Sequence, residues 1–189
     1  MANWDQFFSG AFPQLETKRL LLREIAAEDD EAIFAYCSDP IVTQFFMNPL
    51  TELSQARSIA EEYYDYFHTG KGIVWGLSLK ENPTLIGTCG FEIFSKWDRR
   101  GDIGYDLSRT YWGQGLMKEA VQAVIQFSFT QLDLHRIQAF ILSENTRSIQ
   151  LLKSLNFTVE GALRQHRWFR ERFWDNVVMS LLKTDRPSL

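Results

Sequence analysis

Residues 107–117 read Leu-Ser-Arg-Thr-Tyr-Trp-Gly-Gln-Gly-Leu-Met, and no other stretch of the chain constrains the fold as tightly. Before it, Ile103, Tyr105 and Leu107 alternate with Asp102, Gly104 and Asp106, the period-two pattern of a strand over 101–107. After it, Met117, Val121, Val124, Ile125 and Ser128 recur at helical spacing, which predicts a helix over about 116–131. Glycines at 113 and 115 permit positive φ and let a bulky group approach the backbone without meeting a Cβ. The first N–H groups of the following helix have no internal partners, so loop and helix dipole together make a site suited to a phosphate or diphosphate. Two familiar nucleotide loops do not fit. A dinucleotide fingerprint needs a small residue where Lys118 stands, and the pair Gly70-Lys71 is followed by Gly72 rather than Ser or Thr.

The remaining pattern is a mixture of strands and helices. Residues 18–25, 72–79, 85–94, 135–142, 157–168 and 173–183 read as further strands, giving about seven in all. Helices are predicted over 28–38, 53–68 and 145–155, and in the second of these Ala56, Ile59, Ala60, Tyr63, Tyr64 and Phe67 form one apolar face. Glu81-Asn82-Pro83 predicts the first turn between strands, and Lys96, Asp98, Arg99 and Arg100 the second. Phe45, Phe46 and Met47 fall in an irregular stretch before Pro49, a segment able to cover a site. Ser143 is placed to cap the 145–155 helix. On that helix Asn145 and Ser148 open a stripe continued by Leu152 and Leu155, so two polar residues face the same way as an aliphatic row. Asn156 tolerates the left-handed conformation that closes a helix.

Composition bounds the function. With 189 residues and no repeat or linker, one α/β domain over 1–189 is expected. Twenty Lys and Arg against 24 Asp and Glu argue against a nucleic-acid coat. Cys37 and Cys89 are too few for a disulfide framework or a four-cysteine metal site, and no metal is expected. Met1–Gly10 has no Lys or Arg ahead of an apolar run, and no apolar stretch is long enough to span a membrane, so a cytoplasmic protein with no membrane partner is expected.

Three ordered stretches resemble the GNAT superfamily of acyl-CoA-dependent N-acetyltransferases, in its ribosomal-protein N-terminal acetyltransferase (RimJ/RimL) branch. They are Glu16-Thr17-Lys18-Arg19-Leu20-Leu21-Leu22-Arg23, Tyr111-Trp112-Gly113-Gln114-Gly115, and Glu144-Asn145-Thr146-Arg147-Ser148-Ile149 running on to Asn156-Phe157. The similarity covers about residues 15–183. It implies a mixed central sheet with flanking helices, whose fourth and fifth strands splay apart to admit acetyl-CoA. Backbone N–H groups from Trp112 through Met117, by way of Gly113, Gln114, Gly115 and Leu116, would hold the pyrophosphate, with Leu107, Asn145 and Ser148 also on the cofactor. The chain departs from the general pattern at three positions. Thr110 stands where many members have Gln or Arg, Asn156 stands for the usual Gly, and Leu152 replaces a Tyr that often protonates the departing thiolate. Ser148 is then the natural acid.

Acetyl transfer to an amine needs a proton acceptor for the amine, donors for the carbonyl oxygen and a proton for the thiolate. Glu92, after Gly90-Phe91 in a strand expected to flank the cleft, is the first candidate base. His166, in Arg164-Gln165-His166-Arg167, is the second. Asp102, Asp106 and His135 read as structural or solvated. Arg164, Arg167, Arg170 and Arg172 form a basic run whose simplest reading is a solvated hairpin. The expected acceptor is a protein N-terminal α-amine, with a ribosomal protein as partner and the enzyme a monomer or homodimer. The alternatives are a small amine or antibiotic as acceptor, or a CoA-binding module without turnover.

Overall fold

In the computed structural model, residues 4–185 are described, so the first residues of Met1–Gly10 lie outside them. Five α-helices and eight strands follow one another along the described chain. They are α1 (Trp4–Phe8), β1 (Leu15–Glu16), β2 (Leu20–Arg23), α2 (Asp30–Cys37), α3 (Leu53–His68), β3 (Ile73–Leu79), β4 (Asn82–Ser95), β5 (Arg100–Leu107), α4 (Leu116–Thr130), β6 (Arg136–Leu142), α5 (Thr146–Lys153), β7 (Thr158–Phe169) and β8 (Arg172–Leu182). The sheet order is β1-β2-β3-β4-β5-β6-β8-β7. Every described pairing is antiparallel except β5 with β6. This is the mixed sheet expected, with an eighth strand in the two-residue β1, too short to leave a pattern in the sequence.

The strands β5 and β6 are the fourth and fifth of the sequence reading, and they do part. They pair at Arg100↔Arg136, Gly101↔Ile137 and Asp102↔Gln138 and nowhere further along, although β5 continues to Leu107 and β6 to Leu142. The closed end is pinned by side chains: Gln138 Nε2 donates to Asp102 Oδ1 at 2.7 Å, and Arg136 Nε donates to Gln138 Oε1 at 2.9 Å. Beyond that point the two strands leave an opening in the middle of the sheet.

Apolar layers on both faces hold this frame. Trp75, Leu77, Val121, Val124, Ile137, Leu152 and Met179 belong to one buried cluster, with α4 and α5 on that side. Ile33, Tyr36, Ala56, Ala60, Val74 and Leu85 form a second, under α2 and α3. Strand β3 is buried from Ile73 to Ser78 because both its faces are covered, the reason it reads as a continuous apolar run.

Several local expectations are corrected. The β3–β4 turn is Lys80-Glu81, with Leu79 opposite Asn82, so Asn82 and Pro83 lie inside β4 rather than in the turn. Pro83 is tolerated there because it falls in the register shift between the Leu79↔Asn82 and Ser78↔Leu85 pairs, and β5 pairs with β4 only from Gly87 onward. Tyr64 leaves the apolar face of α3, stands half exposed and sets its ring 4.1 Å from that of His68 at a 33° tilt. The cap of α5 is Asn145, not Ser143: its Oδ1 accepts the Ser148 N–H at 3.2 Å. Asn156 does take φ +66°, as its capping role requires.

Candidate active site

A cleft of about 760 Å³ occupies the opening between β5 and the start of α5. Its walls include Leu107, Trp112, Gly113, Gly115, Leu116 and Met117 from the loop and α4, and Asn145 and Ser148 from α5. Gly113 and Gly115 both sit at φ +75°, Gly115 as the residue that opens α4, so the loop needs glycine at each. A Cβ built on Gly113 meets nothing within 4 Å, and one on Gly115 meets only the Arg19 guanidinium at 3.7 Å. The backbone therefore presents an open cradle at the N-terminus of a fifteen-residue helix. Two cations line the same cleft, Lys118 and Arg147, the latter 4.8 Å over the Trp112 ring. An uncovered cradle of N–H groups flanked by two cations fits a diphosphate. The sequence gives neither cation a role, because only the fold brings both to the wall of one cleft.

Gln114 is different. Its side chain turns back to the Thr110 carbonyl at 3.1 Å, and its own carbonyl accepts from Arg19 at 2.9 Å. It shapes the loop from behind. Trp112 does likewise through Nε1, which donates to the Leu107 carbonyl at 2.7 Å.

The Glu16–Arg23 motif acquires a physical reason at this point. Glu119, in the first turn of α4, accepts from Thr17 Oγ1 at 2.5 Å, from the Arg19 N–H at 2.7 Å and from Arg19 Nε at 2.8 Å. Burial by itself would raise this carboxyl; Thr17 and Arg19 overcome that and hold it below the usual range. The same Arg19 binds the Gln114 carbonyl, so strand β2 locks the loop and helix in one geometry. Replacing Glu119 by Ala strands these donors. It is expected to lower the melting temperature by about 5 °C, given about 2–4 °C per kcal/mol at this size. Acetyl-CoA affinity should fall several-fold as the loop loosens. Thermal denaturation and calorimetric binding check the two effects separately.

A second cavity of about 330 Å³ adjoins the cleft on the α2–α3 side. Phe45, Phe46, Tyr105, Asp106, Asn145 and Ser148 line both, so the two spaces join there. At the junction the Tyr105 hydroxyl lies 2.6 Å from Ser148 Oγ. Burial pushes the Tyr105 phenol up, although its bond to Ser148 pulls the other way, and it stays protonated near neutral pH. Leu152, where many relatives carry Tyr, is fully buried in the core. The phenol at this site comes instead from the facing strand.

The base candidates separate clearly. Glu92 lines the second cavity, but β4 lies one strand behind the opening and does not flank it, because β5 intervenes. Its carboxyl is crowded by protein although open to water; this partial burial pushes its pKa up, Glu62 adds to the rise and Arg167 opposes it. His166 lines neither cavity. It stands exposed on β7, stacked 6.1 Å from Phe140, with Nδ1 3.3 Å from Asn176 Nδ2. Among the residues read as structural, Asp102 and Asp106 both line the second cavity. The basic run is exposed at Arg164, Arg170 and Arg172, as a solvated hairpin is, but two of its arginines also reach the loop at Phe46 and Met47. Arg167 donates to the Phe46 carbonyl at 2.7 Å and Arg170 to the Met47 carbonyl at 3.3 Å, tying the β7–β8 hairpin to the aromatic loop over the cavity. Arg172 pairs with Glu144 at 3.2 Å.

A strand pair opened in mid-sheet, a helix N-terminus with a glycine cradle and an adjoining cavity are the features an acyl-CoA-dependent transferase needs. The family model described as "Acetyltransferase (GNAT) domain" matches residues 19–158, and the chain belongs to that family. It is 42% identical to the uncharacterized N-acetyltransferase p20 of Bacillus licheniformis over 90% of this chain and 97% of that one. It is 35% identical to the uncharacterized N-acetyltransferase YoaA of Bacillus subtilis, over 91% and 98% of the two chains. The solved structure of RimL, a ribosomal L7/L12 α-N-protein acetyltransferase in complex with coenzyme A, superposes with TM-score 0.82 at 18% identity, over 90% of this chain and 98% of that one, a likeness of fold. The protein is an N-acetyltransferase that uses acetyl-CoA. No group of three His, Cys, Asp or Glu able to hold a metal occurs among the described residues, and no helix there is long and apolar enough to cross a membrane.

Proposed function

We propose that this chain, acting as one domain, transfers acetyl from acetyl-CoA to a protein N-terminal α-amine of the ribosomal-protein kind, by direct attack with both substrates bound. The observation that carries the reading is the meeting of two spaces at Tyr105, Asp106, Asn145 and Ser148, one fitted to a diphosphate and the other bearing carboxylates. Acetyl-CoA supplies the activated acyl group. The chain holds its diphosphate at residues 112–117, keeps the thioester arm between β5 and β6, and offers the Ser148 hydroxyl to the departing sulfur. An α-amine titrates near about 7.7–8.0 and lysine near about 10.4, so deprotonating lysine costs roughly 3–4 kcal/mol more. The carboxylates here are modest bases and suit the α-amine. RimL's described action on a ribosomal protein N-terminus supports the choice.

A second reading, a small amine as acceptor, draws on the clamp of Arg167 and Arg170 on the aromatic loop, which narrows the acceptor space. A thiol-release assay distinguishes the two. Peptides with free N-termini should turn over at least about tenfold faster than N-blocked, lysine-containing ones, as their amine pKa values require. Turnover confined to small amines would discard the ribosomal reading.

A further inference from the structure

Resting on the amine-acceptor reading above, we propose that Asp106 receives the acceptor's ammonium group and takes its proton, at the point where the cofactor cleft and the acceptor cavity join. Position is the first ground. Asp106 lines both spaces, whereas Glu92 lines only the acceptor cavity and His166 lines neither. It lies between Tyr105, which is bonded to Ser148, and Leu107, whose carbonyl anchors Trp112. One strand thus places the proton acceptor next to the residues that hold the acyl donor.

The second ground is how the carboxylate is held. Thr88, its cross-strand partner, donates its N–H to Oδ1 at 3.1 Å and its hydroxyl to Oδ2 at 2.8 Å. The Tyr36 hydroxyl, on α2, also favours its charged form. The two Thr88 donors fix the group and leave acceptor capacity on a carboxylate that can take about four.

The third ground is charge. Tyr36 and Cys37 in α2, Tyr63 in α3, and Cys89 and Glu92 in β4 lie near enough to Asp106 to interact with its charge. The phenols and thiols among them are pushed upward by burial and stay neutral. Across the cavity, Arg167 is the cation in its lining, and its guanidinium is engaged by the Phe46 carbonyl. Among the described residues no Lys, Arg or His forms an ion pair with Asp106. A half-buried carboxylate without a cation is costly, and a primary ammonium is the cation that an acceptor would bring. Burial accordingly raises Asp106 to about 6 against the pull of Thr88 and Tyr36, with Glu92 adding to the rise. It is ionised at neutral pH and still able to accept a proton.

The ammonium gives one proton to Asp106, and the freed nitrogen lone pair attacks the thioester carbonyl carbon. The C–N bond forms, the C–S bond breaks, and the sulfur leaves with the bonding pair. The thiolate is protonated at the Ser148 side, the second nitrogen proton replenishing that site through solvent. Asp106 then releases its own proton to water.

The test is the pH dependence of kcat/KM for the acceptor in the wild type, Asp106→Asn, Thr88→Val and Glu92→Gln. The wild-type profile should rise through about pH 6, since Asp106 acts only when ionised. Asp106→Asn keeps the side-chain shape. It should lower kcat/KM by at least about 100-fold, the usual scale of a general base, and abolish that rise. Its acetyl-CoA affinity should remain within a small factor, which also shows that the variant folds. Thr88→Val removes a donor that favours the charged form, so the rise should move to higher pH by about one unit. Glu92→Gln should leave the rise in place and shift it slightly downward. The proposal is overturned if Asp106→Asn retains the rise, if Thr88→Val leaves it unmoved, or if Glu92→Gln abolishes it. A wild type that releases no thiol with any amine overturns the amine-acceptor reading itself, and the role of Asp106 falls with it.

Discussion

Ser148→Ala is expected to lower kcat by about 100-fold while changing acetyl-CoA affinity by no more than a small factor. The effect turns on the polarity of one hydrogen bond. The Tyr105 phenol keeps its proton because it is buried, and its hydroxyl lies 2.6 Å from Ser148 Oγ. With Tyr105 donating to Ser148, the Ser148 hydrogen is free to point into the cleft and reach a leaving sulfur. Alanine deletes that donor and leaves the loop, the cations and the helix cap untouched, since the cap uses the Ser148 backbone N–H rather than its hydroxyl. Tyr105→Phe removes the orienting partner alone and should reduce kcat by about tenfold, the scale of one lost hydrogen bond at about 1.4 kcal/mol. Stopped-flow single turnovers with equilibrium binding give the split. A variant whose affinity falls as far as its rate would show that Ser148 only helps to hold the cofactor.

Gly113→Val should raise the dissociation constant for acetyl-CoA by about 100-fold, close to 2.7 kcal/mol. A side chain at this position meets no protein atom within 4 Å, so the fold offers no clash to resist it. What it meets is the cleft itself, where the diphosphate needs close approach to the backbone. The φ of +75° adds strain of about 1–3 kcal/mol for a β-branched residue, part of which the loop relieves by shifting its N–H groups out of register. The melting temperature should drop by only a few degrees, because Gly113 packs against nothing. Unchanged affinity, measured by calorimetry, would remove the anion-cradle assignment.

Legibility from sequence varied with the kind of physics involved. Helix α3 was read at its true limits, Leu53–His68, and β5 within one residue, because each carries a complete periodic pattern. The loop at 111–115 was legible because left-handed backbone selects glycine residue by residue. Thr17 and Arg19 were noticed as a motif without a reason; the reason, Glu119, lies about a hundred residues away and has no local signature. Lys118, Arg147 and Tyr105 stood in the motifs without a role of their own for the same cause. Asp106 was passed over because an acidic residue alternating in a strand looks like any solvated one until the packing of α2 and α3 encloses it. The arginines of the β7–β8 hairpin looked like a charged surface run, and two of them turn out to hold the loop at Phe46 and Met47.

The amino-acid sequence alone determined what backbone conformation and local periodicity encode: the alternation of strands and helices, the glycine cradle at a helix start, the polar opening of α5 and a left-handed stop at Asn156. Tertiary structure alone decided where β5 and β6 stop pairing, which hydroxyl faces Ser148 and which carboxylate stands at the junction of the two spaces. Those depend on groups brought together across the sheet, and the interaction between two side chains has no trace in either segment until both are folded against the same core.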